Sequence, residues 1–63
     1  MVHKALEEII GTNIAKYREA AGLTQAALAE IIGISTAFVS RVERGQKKMK
    51  VETLYATAKA LNV

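Results

Sequence analysis

The side chains in these 63 residues best equipped for chemistry are cationic. Arg41, Arg44, Lys47, Lys48 and Lys50 fall within ten residues against one acid, Glu43. Residues 1–40 hold Lys4, Lys16 and Arg18 against Glu7, Glu8, Glu19 and Glu30. The net charge of +3 is therefore local. Guanidinium and ammonium groups at that density bind anions, and polyanions best of all. From charge alone, a solvated loop accounts for the same run equally well. Catalysis is poorly served, because there is no cysteine, no aspartate and only one histidine, His3. No nucleophile with a positioned base can be assembled from that set, nor a metal site. An enzyme is not expected, and neither is a cofactor or a bound metal.

Length and hydropathy narrow the class further. A chain of 63 residues has room for one domain, taken as 1–63, near the size at which a single apolar core barely holds a fold. No apolar run approaches the roughly 20 residues of a membrane span. Glu7 and Glu8 stand where a signal peptide would need its apolar stretch. A soluble cytoplasmic protein is expected.

The elements that would carry these charges are nearly all helical, since proline is absent and no strand-like alternation appears. Leu6, Ile10, Ile14, Tyr17 and Ala21 form one apolar stripe at helical spacing, which predicts a first helix over about 3–21. Gly11 lies inside it. The stripe keeps its phase there, so a continuous helix that tolerates a glycine at about 1 kcal/mol is preferred to a break capped by Thr12. Gly22 ends the helix. Thr24 caps a second helix over 24–32, with Leu23 and Leu28 as a hydrophobic staple. Leu28, Ile31 and Ile32 are its expected buried face, and Ala29 leaves room for a close neighbour. Gly33 makes a turn, and Ser35 caps a third helix over 35–44, with Ile34 and Val39 as its staple. Val39 and Val42 point inward. Thr36, Ala37, Ser40, Arg41 and Arg44 are left on the outward side. A last helix over 51–61 turns Val51, Leu54, Ala58 and Leu61 to one face.

The succession Gln25, Ala29, Gly33, Val39, Val42, Glu43 and Gly45 resembles the helix-turn-helix of the phage repressor and Cro family, the Cro/C1-type or XRE-like domain. The likeness covers about residues 12–63, with the helix-turn-helix at 24–45 and residues 1–11 as an N-terminal extension of the first helix. Each position has a physical reason. A small Ala29 lets two helices cross closely, Gly33 makes the tight turn, and Val39 with Val42 pins the third helix to the core. The resemblance implies an all-α, lambda-repressor-like compact fold of about four helices, and a sequence-specific regulator of transcription that binds double-stranded DNA.

In that family the third helix enters the major groove. By position, Thr36, Ala37, Ser40 and Arg41 would meet base edges. Arg41 is the strongest reader, since a guanidinium can donate twice to guanine O6 and N7. Ala37 offers only a methyl contact to thymine. Thr24, Gln25, Ser35, Arg44, Lys47 and Lys48 would meet the DNA backbone, Gln25 at a helix start whose dipole also favours an anion. Phe38 reads as partly buried. Arg18 and Glu43 match positions where the family commonly places an internal ion pair, which would make them structural.

The last helix departs from the pattern: Met49 and Lys50 replace a usual proline and serine cap, Thr57 a usual aliphatic residue, and Asn62 a glycine. Family members usually continue into a fifth helix that often forms the dimer interface. Here the N-terminal turns, with Ile9 beside the main stripe, are the expected substitute surface for a homodimer on a palindromic operator. A protein-interaction module of the same fold, such as an antitoxin or adaptor, is the alternative function.

Overall fold

The computed structural model describes residues 5–63. Among these, four helices follow one another: α1 Leu6–Ala20, α2 Gln25–Ile32, α3 Thr36–Glu43 and α4 Val51–Leu61. The expected start of the first helix near His3 lies outside the described residues. α1 runs unbroken through Gly11, and its first turn is closed by Glu8, whose Oε1 accepts a hydrogen bond from the Ala5 N–H at 3.2 Å.

Caps and stops appear where the residue types place them. The hydroxyl oxygens of Thr24 and Ser35 accept from the N–H groups of Ala27 and Phe38, both at 3.0 Å. α4 starts at Lys50 without a side-chain cap. All four helices end alike, with a left-handed residue (Gly22, Gly33, Gly45 or Asn62) and a hydrogen bond from the following N–H back to the sixth carbonyl, such as Ile34 N–H to Ala29 at 3.0 Å. In the turn between α2 and α3, Gly33 at φ 75° takes this conformation without the Cβ strain another residue would bear.

The core is made by Ile14, Leu28, Ala29, Val39, Val42 and Leu61, with Leu23, Ile34 and Phe38 packed partly against it. The two staple residues, Leu23 and Ile34, thus close the entrances of α2 and α3. Gly11 is buried, and a Cβ there would overlap the carbonyl oxygen of Val42 and come within 3.0 Å of that of Glu43. α1 therefore crosses the end of α3 at backbone distance. The glycine that pattern reasoning treats only as a cost is what lets the first helix hold the third.

Several expected core positions lie outside. Ile31 is 57% exposed. It stands about 160° around the helix from buried Ala29, so adjacent Ile31 and Ile32 cannot both face inward. Val51 is 78% exposed, because the buried side of α4 is set by Thr57 and Leu61, and Val51 lies about 120° from Thr57. Leu6 and Tyr17 on α1, and Ala21 just past its end, are exposed, while Gly11 and Ile14 are buried. The buried line passes between those two, and a glycine leaves no trace in a hydrophobic pattern. Thr57 is wholly buried and satisfied, donating to the carbonyl of Thr53 at 2.8 Å and lying 3.5 Å from the sulfur of Met49.

Candidate nucleic-acid interface

α3 is fixed on one side and open on the other. Val39 and Val42 are buried, Phe38 and Ser40 are half-buried, and Thr36, Ala37, Arg41 and Arg44 are exposed. At 100° per residue the exposed positions 37, 41 and 44 gather on the side opposite the two valines. Among the described residues neither Arg41 nor Arg44 has an ion-pair partner. Both guanidinium groups keep their full set of donors, Arg41 on the last turn of α3 and Arg44 just past it.

Behind this face, Arg18 of α1 reaches Glu43 with two parallel hydrogen bonds, Nε to Oε2 at 2.6 Å and Nη2 to Oε1 at 3.1 Å. Its Nη1 donates to the carbonyl of Leu23 at 2.8 Å. The two side chains are only 12% and 6% exposed. The hydrogen bond to Glu43 raises the pKa of the Arg18 guanidinium above its ordinary value, and burial only partly opposes it. Such a fork fixes direction as well as distance. It ties α1, the entrance of α2 and the end of α3 at one point.

Gln25 joins the same cluster. Its Nε2 donates to Glu43 Oε1 at 2.9 Å, so the side chain assigned by position to a DNA phosphate is held by the ion pair, with one N–H and the carbonyl oxygen left over. Nothing in the sequence marks this contact, which spans 18 residues. Thr24 and Ser35 use hydroxyl lone pairs as caps and keep their O–H donors. Lys47 and Lys48 are exposed in the segment after α3. Lys48 Nζ lies 3.9 Å from Glu7 of α1, a separation at which two exposed side chains remain largely solvated. Lys47 has no ion-pair partner among the described residues.

Two short helices joined by a tight glycine turn, the second anchored by valines and bearing exposed cations on its outer side, define a helix-turn-helix domain. The comparisons agree: a family profile described as helix-turn-helix matches residues 14–63. The chain is 39% identical over 57 residues to control protein C.SmaI of Serratia marcescens, covering 90% of this chain and 68% of that one. Among solved structures it superposes on the clp gene regulator ClgR of Corynebacterium glutamicum with a TM-score of 0.92 at 31% identity, over 97% of this chain and 78% of that one. It also superposes on the restriction-modification controller protein C.AhdI of Aeromonas hydrophila, with a TM-score of 0.86 at 32% identity, over 90% and 83% of the two chains. The chain belongs to the Cro/C1-type helix-turn-helix family.

Proposed function

We propose that this protein regulates transcription by binding a specific duplex DNA sequence, with α3 in the major groove. One observation carries the reading. The side of α3 opposite Val39 and Val42 presents exposed Arg41 and Arg44 on a helix that cannot rotate, because the Arg18–Glu43 pair and the Gly11 crossing hold its end. The relatives named as regulators support it.

Arg41 donates to a guanine edge, Ala37 contacts a thymine methyl, and Thr36 and Ser40 hydrogen-bond to bases near the start of the helix. Arg44, Lys47 and Lys48 follow the phosphates, joined at the helix entrances by the hydroxyls of Thr24 and Ser35 and the free amide N–H of Gln25. Two subunits occupy a palindromic operator, each reading one half-site. The protein acts in the cytoplasm, without catalysis; among the described residues no helix is long and apolar enough to cross a membrane.

Selection of bound sites from random duplex DNA tests this. An enriched inverted repeat with half-sites about 10 bp apart is expected, together with a fall in log K against log salt of about 3 to 4 per subunit. No enrichment and a flat salt response would overturn it in favour of the antitoxin or adaptor reading.

A further inference from the structure

We propose that Met49 is a site of reversible oxidation by peroxide, and that its sulfoxide releases the segment carrying Lys47 and Lys48 from the body of the domain. Residues 46–50 join α3 to α4, and their attachment is uneven. At the near end, Gly45 lies so close to α1 that a Cβ there would come within 2.7 Å of the Glu8 Cγ and 3.0 Å of its Cα. The Gln46 N–H then reaches the Arg41 carbonyl at 2.9 Å. Past that bond, Lys47, Lys48 and Met49 make no backbone–backbone hydrogen bond among the described residues. Lys48 has its solvated approach to Glu7 at 3.9 Å, which holds little. What ties this stretch to the body is the Met49 side chain, half-buried against the core. It lines an open groove of about 150 Å³ together with Leu6, Ile10, Val42 and Leu54.

The groove admits a small oxidant but suits the product badly. A sulfur lone pair attacks one oxygen of hydrogen peroxide, and an S–O bond forms as the O–O bond breaks. The proton on the transferred oxygen passes to the departing hydroxide, which leaves as water. The sulfur is oxidised by two electrons and the peroxide is reduced by two. A sulfoxide oxygen is a strong acceptor and needs a donor. The hydroxyl beside the sulfur, that of Thr57 at 3.5 Å, already gives its single proton to the Thr53 carbonyl at 2.8 Å. Leu6, Ile10, Val42 and Leu54 offer aliphatic surface, against which an acceptor without a partner is costly. The oxidised side chain therefore turns out to water, and residues 47–49 lose their anchor. Met49 and Thr57 are two of the positions that depart from the family pattern, and here they touch each other. The consequence for DNA rests on the phosphate-contact reading of Lys47 and Lys48 above, but release of the segment does not.

Treatment of the full chain with hydrogen peroxide tests it, scored by peptide mass at Met49 and by limited trypsin digestion, since trypsin cuts after lysine. Met49 should gain one oxygen. Cleavage after Lys47 and Lys48 should then quicken about tenfold, as when local opening limits proteolysis, while circular dichroism still shows a cooperative melt. Methionine sulfoxide reductases for both epimers, supplied with a dithiol, should reverse both changes. Affinity for random-sequence duplex should fall on oxidation, with a salt slope shallower by about one to two. Met49→Leu keeps an apolar side chain of similar volume without the sulfur, and it should pass through the same treatment unchanged. That variant also separates Met49 from Met1. The proposal is overturned by a Met49 that stays unoxidised while free N-acetylmethionine in the same tube reacts, or by an oxidised chain cut no faster than before. A Met49→Leu variant that responds equally overturns it too, as does a chain that loses its fold outright on oxidation. Faster cleavage with unchanged duplex affinity supports the release and strikes the phosphate role of the two lysines. A chain that binds no duplex in either state strikes the DNA-binding reading, and the cleavage rates still decide this one.

Discussion

Arg41 and Lys47 carry the same charge but stand in different places, and their loss should read differently. Arg41→Ala removes a two-pronged donor from the outer side of α3. It should weaken binding by about 1–3 kcal/mol at operators with the matching guanine and much less at operators without it. Lys47→Ala should weaken every sequence alike and reduce the salt slope by about one. Titration of both variants against a panel of single-base operator changes separates the two patterns; a uniform loss for Arg41→Ala would make it a phosphate contact. Glu43 is a different kind of residue, because it accepts from both Arg18 and Gln25 while only 6% exposed. Glu43→Ala leaves a nearly buried guanidinium with only the exposed carboxylate of Glu19, 3.8 Å away, as an ion-pair partner and should cost about 3 kcal/mol in urea denaturation. That is a large part of the about 5–15 kcal/mol available to a small domain.

At the scale of elements, the decisive contact is between α1 and the end of α3. Gly11→Ala would improve the intrinsic propensity of α1 by about 1 kcal/mol. The added Cβ meets the backbone of Val42 and Glu43, which cannot rotate away. The net effect should be destabilising by about 1–3 kcal/mol, seen as a lowered Tm. A stabilised variant would mean that α1 does not cross α3 so closely. Thr57 on α4 offers the opposite case. Its hydroxyl is satisfied within its own helix by the Thr53 carbonyl, which supports the ladder without adding a tertiary bond. Thr57→Val fills nearly the same volume, removes a buried polar group together with its need for a partner, and should change stability by less than about 1 kcal/mol in the same assay.

For the whole molecule, charge divides into a part that holds the fold and a part that faces a ligand. The Arg18–Glu43 pair is nearly buried and weakly screened, whereas Arg41, Arg44 and Lys47 are exposed. Raising salt from about 50 to 200 mM should therefore lower DNA affinity about a hundredfold per subunit. It should leave the thermal melt nearly unchanged. Fluorescence anisotropy with labelled duplex and circular dichroism on the same samples would check both halves; a melt that falls together with affinity would place the salt-sensitive charges inside the fold.

Local chemistry decided much of this protein before any tertiary contact formed. Gly22 as a stop set the end of α1, and Thr24 and Ser35 as caps, Gly33 and Gly45 as stops, and Leu23 and Ile34 as staples set the bounds of α2 and α3. The single valine pair of α3 left only one side for Arg41 and Arg44. These signals are readable because each acts within a turn of its own position. Tertiary packing decided what depends on rotation and on partners distant in sequence. Ile31, Val51, Leu6 and Tyr17 have the composition of core residues, yet they are exposed, because a helix buries the side its neighbour covers and an apolar run cannot state that angle. Gly11 is the converse, a residue with no side chain whose meaning is the backbone of α3 lying against it. Gln25 shows the same limit at the candidate site: its place at the head of α2 is local, but its bond to Glu43 exists only once α3 has been folded back beside it.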